Sequence, residues 1–217
     1  MPRFFHDFAN LYRYRDANAT LGVPAPAERR VVFFGDSITD FWDLEASFPG
    51  LGYINRGIAG QTTAQLLLRF RPDVVELRPA LAMILAGTND LAGNTGPATI
   101  EEIAGNLASM ADLARAHGIR TVFGSVTPVH RTPPAEIKFS VLRPLDRIVA
   151  LNERLKQYCA AEGPGYIDYF SAMADERGMM RTKLTDDGLH PNAAGYAVMM
   201  PLARGAIAQA LGQPPAV

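Results

Sequence analysis

Two short apolar runs constrain the fold of this 217-residue chain more than any other feature of its sequence. Residues 31–35 (VVFFG) form a continuous apolar run that ends in glycine, and residues 80–87 (ALAMILAG) repeat the same pattern more strongly. Such runs are typical of strands that are covered on both faces, as they are in a parallel sheet. We therefore expect a sheet with helices packed on each of its two faces.

The other segments alternate between strand and helix patterns. Weaker strand patterns occur at residues 53–55, 119–124 and 166–170. Helix patterns occur at residues 62–77, 99–117, 146–161 and 192–211. A regular alternation of strands and helices requires a parallel sheet with right-handed crossovers, and it predicts an α/β protein. Four prolines within residues 125–145 predict a long loop with a helical turn after the fourth strand.

Composition indicates one compact domain and excludes several kinds of partner. Apolar residues make up 48% of the chain, which is enough to bury a continuous core. Because 21 Lys and Arg residues face 22 Asp and Glu residues, neither nucleic acid nor an anionic membrane surface is expected as a partner. The only cysteine, Cys159, excludes an intrachain disulfide and a multi-thiolate metal site, and we expect it to be a buried structural thiol. We expect one domain over residues 1–217, with residues 1–28 as an N-terminal extension that packs on it.

The sequence shows no segment for membrane insertion or export. No apolar run approaches the ~20 residues that span a bilayer, and residues 1–22 alternate aromatic with charged residues instead of forming a signal peptide. As written, the chain is expected to be cytoplasmic. A chain whose signal segment had been removed would show the same pattern and would be periplasmic or secreted.

Polar residues follow the apolar runs at the points where the strands end. Residues 35–37 (Gly-Asp-Ser) follow the first strand, Gly60 lies after the second, and Asn89 lies after the third. In open parallel sheets the ligand site lies beyond the carboxyl ends of the strands. Asp187 and His190 precede the last helix and are three residues apart, so one turn can bring the carboxylate to the imidazole. We expect these residues to share one cleft.

These residue types suit nucleophilic acyl transfer. A serine such as Ser37 is a weak nucleophile until an imidazole removes its proton, and a carboxylate must fix the tautomer of that imidazole. His190 and Asp187 can fill those two roles. The oxyanion that forms on the attacked carbonyl needs preorganised donors, for which the amides of Ser37 and Gly60 and the side chain of Asn89 are candidates.

Taken together, four segments resemble the signature blocks of the SGNH, or GDSL-type, hydrolase family. The segments are GDSITD (35–40), GIAGQTT (57–63), GTND (87–90) and DDGLHPNAAGY (186–196). The resemblance implies that Ser37 is the nucleophile, that Asp187 and His190 complete a triad, and that Gly60 and Asn89 join Ser37 in an oxyanion hole. One departure is Ile38, which stands where the family nickname has leucine, and we expect this apolar swap to be tolerated.

The same resemblance implies a fold and an absence of cofactors. The fold is a flavodoxin-like, three-layer α/β/α sandwich around a five-stranded parallel sheet, with no metal and no organic cofactor.

Three further residues are candidates for substrate contact. Asp36 flanks the nucleophile but can also hold the turn, His130 lies in the loop after the fourth strand, and Trp42 can line a pocket or pack in the core.

The sequence thus predicts a serine hydrolase that cleaves carboxylic esters through an acyl-enzyme. By family analogy, short acyl esters such as acetyl groups on carbohydrate are the leading substrates, and a small-molecule or carbohydrate ester is the expected partner. Other hypotheses are a lysophospholipase or acyl-thioesterase, an acyltransferase with the same triad, and a non-catalytic flavodoxin-like module that binds a phosphate-bearing ligand. The oligomeric state is not predicted.

Overall fold

The structure, a computed structural model, describes residues 7–25, 27–130 and 139–212. The predicted N-terminal extension and the predicted loop after the fourth strand therefore lie partly outside the described residues. One domain over residues 1–217 is the assignment expected from the sequence. That assignment stays a prediction.

The sheet has five strands within the described residues, and all of its pairings are parallel. The strands are β1 (Val31–Gly35), β2 (Ile54–Gly57), β3 (Leu81–Leu85), β4 (Arg120–Gly124) and β5 (Gly165–Ile167). Their order across the sheet is β2-β1-β3-β4-β5, so the first strand lies inside the sheet. The predicted five-stranded parallel α/β fold is confirmed.

Helices connect the strands and cover both faces of the sheet. Within the described residues they are α1 (Arg15–Leu21), α2 (Ser37–Asp40), α3 (Leu44–Ser47), α4 (Thr63–Asp73), α5 (Thr88–Leu91), α6 (Ile100–Ala116), α7 (Phe139–Leu142), α8 (Leu145–Glu162), α9 (Tyr169–Met173) and α10 (Ala193–Leu211). Short 3-10 helices cover Val75–Leu77 and Thr182–Leu184. In the part of the chain that is described, no helix is both long and apolar enough to cross a membrane. The location of the protein stays a prediction.

Alternate residues of β1 enter two separate apolar cores. Val32 and Phe34 pack in the core on the side of α4, α6 and α8, whereas Val31 and Phe33 pack in the core on the side of α9 and α10. Successive side chains of a strand point to opposite faces, so a strand covered on both faces must be apolar at every position. This explains why the first strand is a continuous apolar run in the sequence.

The fifth strand is shorter than its sequence predicts. The pattern predicts a strand over residues 166–170, but β5 ends at Ile167 and α9 begins at Tyr169. Asp168 accounts for the change, because its carboxylate accepts hydrogen bonds from the Ser171 amide at 2.9 Å and from the Ser171 hydroxyl at 2.7 Å. Such an N-cap satisfies amides at the start of a helix and favours helix over strand.

The N-terminal segment packs against the loop that follows β2. The side chains of Gln61 and Gln65 donate to the carbonyls of Ala9 and Phe8, at 2.8 and 2.7 Å, and the Tyr14 hydroxyl donates to the Gly57 carbonyl. These bonds involve the last residue of β2, the loop that includes Gly60, and the first turn of α4. The described part of the N-terminal extension thus supports one wall of the predicted cleft.

Candidate active site

Ser37 lies at the first position of α2, directly beyond the carboxyl end of β1. The Asp36 side chain caps this helix by accepting a hydrogen bond from the Ile38 amide at 3.0 Å. Gly35 is required at the preceding position, because a Cβ there would lie 2.3 Å from the Leu85 carbonyl oxygen. The close approach of β1 and β3 therefore sets the position from which the serine emerges.

The turn before α10 carries the other two predicted catalytic residues. The Asp187 Oδ1 atom accepts hydrogen bonds from the amides of Leu189 and His190, both at 2.8 Å. The second oxygen, Oδ2, lies 2.5 Å from His190 Nδ1, and His190 Nε2 lies 3.0 Å from Ser37 Oγ. The structure thus brings Ser37, His190 and Asp187 together in one hydrogen-bonded line, with the imidazole in the middle.

The environment of Asp187 favours its charged form. Partial burial acts to raise the pKa of Asp187, but the hydrogen bonds from the His190 side chain and from the His190 and Leu189 amides outweigh it and hold the pKa below its usual range. A carboxylate that stays ionised can accept a hydrogen bond from the Nδ1–H group and stabilise a positive imidazole. This leaves Nε2 able to accept a proton from Ser37.

The two other predicted oxyanion donors lie after β2 and β3. Gly60 is exposed and has a φ of +79°, a conformation that glycine adopts without strain. Asn89 is buried in α5, and its Nδ2 donates to the Gln61 carbonyl at 3.0 Å. Asn94 Nδ2 donates to the Gly60 carbonyl at 2.9 Å, which links the two loops. Both candidates therefore lie at the carboxyl end of the sheet, as expected.

Arg143 is a residue of this site that the sequence did not point to. Its side chain is buried and donates to the Thr88 hydroxyl at 2.8 Å and to the Asn89 side-chain oxygen at 3.2 Å. The arginine comes from the segment between β4 and α8, whose prolines obscure any periodic pattern. Nothing in the sequence shows that a residue 54 positions beyond Asn89 returns to it.

Phe41 is a second residue that the sequence did not point to, and it is adjacent to the candidate Trp42. The Trp42 side chain is buried, donates from Nε1 to Ser47 Oγ at 2.8 Å, and packs edge-on against Phe33 in the apolar core. The Phe41 ring is 54% exposed, and its centroid lies 5.2 Å from that of His190. These contacts favour the core-packing alternative for Trp42, and Phe41 is the exposed aromatic residue beside His190. A role for Trp42 in substrate binding stays a prediction.

The two other candidates for substrate contact lie near the triad. The His130 amide donates to the Gly188 carbonyl at 2.7 Å, which places its backbone against the turn between Asp187 and His190. Asp36 is 1% exposed. Burial raises the pKa of Asp36 to about 7, aided by the nearby Asp90 carboxyl and opposed by the Ile38 amide and the Arg143 charge. A role for either residue in substrate binding stays a prediction.

The described residues contain no group of three or more His, Cys, Asp or Glu side chains that could hold a metal ion. Cys159 is buried on α8, and burial raises the pKa of its thiol to about 12, as befits a structural residue. The expected lack of a metal and of an organic cofactor stays a prediction.

The fold and the site together define a class of protein. A parallel α/β sheet that carries a serine, an imidazole and a carboxylate in line at its carboxyl edge has the architecture of a serine hydrolase. Comparison with known families makes this more specific. The GDSL-like Lipase/Acylhydrolase family matches residues 33–198, and the chain belongs to this family. It is therefore a member of a family of ester-cleaving acylhydrolases.

Relatives with known structures and sequences agree with this assignment. The chain is 42% identical to a GDSL-like lipase from Bacteroides thetaiotaomicron, whose crystal structure matches with a TM-score of 0.86 over 94% of this chain and 99% of that one. It is 29% identical to Esterase TesA of Pseudomonas aeruginosa over 77% of this chain and 82% of the esterase. It is 32% identical to the uncharacterized lipoprotein YqeF of Bacillus subtilis over 51% of this chain, and this match spans about half (53%) of the lipoprotein.

Proposed function

We propose that this protein hydrolyses carboxylic esters through an acyl-enzyme formed on Ser37. The observation that carries the proposal is the 3.0 Å approach of His190 Nε2 to Ser37 Oγ, with His190 Nδ1 held 2.5 Å from Asp187 Oδ2. This arrangement gives the serine proton an acceptor at the moment of attack, and it gives the resulting imidazolium a stabilising negative charge.

In the proposed first step, His190 Nε2 takes the Ser37 proton while Oγ forms a bond to the ester carbonyl carbon. The carbonyl electrons move onto oxygen, where the amides of Ser37 and Gly60 and the Nδ2 group of Asn89 are the proposed donors. Collapse of this intermediate breaks the bond to the alcohol, which leaves with the proton from His190. In the second step His190 takes a proton from water, the hydroxide attacks the acyl-enzyme, and Ser37 recovers its proton as the acid leaves.

We propose short acyl esters, acetyl esters among them, as the preferred substrates, and a carbohydrate or other small molecule as the alcohol. Two features support this. The proposed donors and the triad lie on short turns directly at the edge of the sheet, and the half-exposed Phe41 ring beside His190 offers an apolar face against which a sugar ring can pack. A lysophospholipase or a thioesterase would instead prefer long acyl chains.

A comparison of Ser37→Ala with wild type tests the proposal. Both proteins, with the control Ser109→Ala, are assayed on p-nitrophenyl esters from acetate to palmitate, on acetylated sugars, and with a fluorophosphonate probe. Ser109 is a suitable control because its hydroxyl bonds the Gly105 carbonyl on the surface of α6. We expect S37A to lose at least ~10³-fold in kcat and all labelling, while S109A behaves as wild type.

The same experiment separates the alternatives. Full activity in S37A would contradict the assignment of the nucleophile, and a wild-type protein that neither reacts with the probe nor cleaves any ester would be a binding module. Rates that rise from acetate to palmitate would favour a lysophospholipase or thioesterase. Transfer of the acyl group to an added alcohol in preference to water would indicate an acyltransferase.

A further inference from the structure

Arg143 spans two consecutive residues at the carboxyl end of β3. Its Nε atom donates to Thr88 Oγ1 at 2.8 Å, and its Nη2 atom donates to Asn89 Oδ1 at 3.2 Å. The residue is 3% exposed, so this charge is held away from bulk water. A buried guanidinium is costly unless its donors are satisfied, and here two of them contact the segment that carries a proposed oxyanion donor.

The two ends of the Asn89 carboxamide have partners of opposite kinds. The Nδ2 end donates to the Gln61 carbonyl at 3.0 Å, and that carbonyl can only accept hydrogen bonds. The Oδ1 end accepts from Arg143, whose guanidinium can only donate. Rotation of the carboxamide by half a turn would set donor against donor and acceptor against acceptor. These two contacts therefore select one of its two orientations.

The Gln61 side of this arrangement is itself fixed in place. Gln61 Oε1 lies 2.5 Å from Arg69 Nε, and a second nitrogen of Arg69 donates to the Gly35 carbonyl at 3.0 Å. Arg69 is fully buried and forms an ion pair with Asp73. The acceptor at the Nδ2 end is thus held by a buried network that also reaches the end of β1. At the Oδ1 end, Arg143 is the donor that could be removed without disturbing that network.

We propose that Arg143 is a positioning residue of the oxyanion hole, which acts by holding the Asn89 carboxamide with Nδ2 available to the oxyanion. The inference rests on the proposed ester hydrolysis and deepens it. Without Arg143 the carboxamide keeps its bond to Gln61 but loses one of the two contacts that oppose its rotation. Because the Nδ2 contact strengthens as negative charge develops on the substrate, the effect belongs to kcat more than to KM.

A double-mutant cycle between Arg143→Gln and Asn89→Ala tests this inference. Removal of one oxyanion donor costs ~10²–10³-fold in kcat, so we expect N89A to fall in that range and R143Q to lose ~10–100-fold with KM changed less than ~3-fold. If Arg143 acts through Asn89, adding R143Q to N89A should lower kcat by no more than ~3-fold further. Arg147→Gln is the matched control, because Arg147 lies in the first turn of α8 and donates to the Ala98 carbonyl at 2.7 Å. The kcat of R147Q should equal that of wild type.

Three outcomes would overturn the role of Arg143: losses that multiply in the double mutant, an effect on KM alone, or a loss in R143Q no larger than that in R147Q. Thermal unfolding of each variant identifies a loss that comes from misfolding. If R143Q does not fold, the same cycle is run with Arg143→Lys, which keeps the charge but replaces the two donor nitrogens of the guanidinium with a single ammonium nitrogen. Equal turnover by wild type and S37A would overturn the proposed function itself. An activity that S37A abolishes, with losses that multiply in the double mutant, would overturn only the inference about Arg143.

Discussion

Two turns, each built on an aspartate, flank the Ser37–His190 contact. The same kind of local hydrogen bond occurs in both turns, but their surroundings differ. In each, Oδ1 accepts from the amide two residues later, Ile38 for Asp36 at 3.0 Å and Leu189 for Asp187 at 2.8 Å. The second oxygen of Asp187 contacts His190. The second oxygen of Asp36 is buried without a hydrogen-bond partner among the described residues.

The pKa values of the two carboxyl groups are shifted in opposite directions. The Asp187 side chain is 45% exposed and its hydrogen bonds hold its pKa below the usual range, whereas burial raises the pKa of Asp36 to about 7. The hydrogen bonds of its own turn lower the pKa of Asp187, whereas burial by the rest of the fold raises the pKa of Asp36. A charge on Asp187 can stabilise an imidazolium, while a charge on Asp36, next to the nucleophile, would oppose an oxyanion formed there. We infer that Asp187 orients and stabilises the His190 imidazole and that Asp36 serves mainly to build the turn.

The largest expected effect comes from Asp187→Asn. The Asn carboxamide can keep the bonds from the Leu189 and His190 amides, but its NH₂ group would face His190 Nδ1 and favour the tautomer that carries its proton on Nε2. Such an imidazole cannot accept the Ser37 proton, so we expect kcat on p-nitrophenyl acetate to fall ~10³–10⁴-fold with little change in thermal stability. The neighbouring exposed Asp186, whose Oδ1 accepts from Asn192 at 2.9 Å, provides the control D186N, which should keep its activity. A D187N protein as active as D186N would remove Asp187 from the mechanism.

Asp36→Asn should act on stability, and its effect should depend on pH. Because the folded state holds the Asp36 proton up to about pH 7 and the unfolded state loses it near pH 4, the wild type loses stability as pH rises between these values. Asn keeps an oxygen for the Ile38 amide and carries no charge. We therefore expect D36N to gain stability relative to wild type between pH 5 and pH 8, by roughly 1–4 kcal/mol.

Urea unfolding at both pH values measures this gain, with Asp43→Asn as the control. Asp43 is also an N-cap, with its carboxylate 2.9 Å from the Ala46 amide, but it is exposed on α3. The gain of D36N over this range should exceed that of D43N, because only Asp36 is buried. A gain for D36N no larger than that for D43N would show that Asp36 is not buried as a neutral acid.

The same comparison explains how much of the site the sequence could predict. The residues at the strand ends were predictable, because a parallel sheet gathers whatever follows its strands at one edge, and the GDSITD and DDGLHP segments have local geometry that their residue types determine. The raised pKa of Asp36 was not predictable, since it depends on burial by residues distant in sequence, whereas the hydrogen bonds that lower the pKa of Asp187 come from its own turn. Two residues of the same type in similar turns look alike until their surroundings are known.

Two residues near the site and one strand boundary lay beyond the sequence prediction, for two different reasons. Phe41 and Trp42 are adjacent, so sequence alone could not tell which ring faces the cleft, because this depends on where α2 ends against the core. Arg143 reaches Thr88 and Asn89 across the fold from a segment without periodicity. The short β5 was a local error, because the Asp168 N-cap competes with the strand pattern of residues 166–170. Long-range burial decides the first two cases, and a capping residue decides the third.

The smallest expected effect concerns the contact that joins the two turns. Tyr196 lies on α10, just beyond the Asp187–His190 turn, and its hydroxyl donates to the Ile38 carbonyl at 2.8 Å, in the helix that Ser37 begins. Burial raises the pKa of Tyr196 above its usual range, so the hydroxyl keeps its proton as a donor. In Tyr196→Phe the ring keeps its packing against Trp42, and only this bond is lost.

We expect Y196F to lower the free energy of unfolding by about 0.5–1.5 kcal/mol, the usual net value of one hydrogen bond, and to lower kcat by less than ~5-fold. Tyr158→Phe is the matched control, because its hydroxyl lies 3.5 Å from the Ala108 carbonyl between α8 and α6, and it should change less on both measures. If the packing of the two turns sets the Ser37–His190 distance, the small loss in kcat should be the same for every ester tested. A much larger loss, ~100-fold in turnover at unchanged stability, would instead show that the Tyr196 hydroxyl itself aligns the nucleophile with its base. The two turns would then be coupled more tightly than their separate hydrogen bonds indicate.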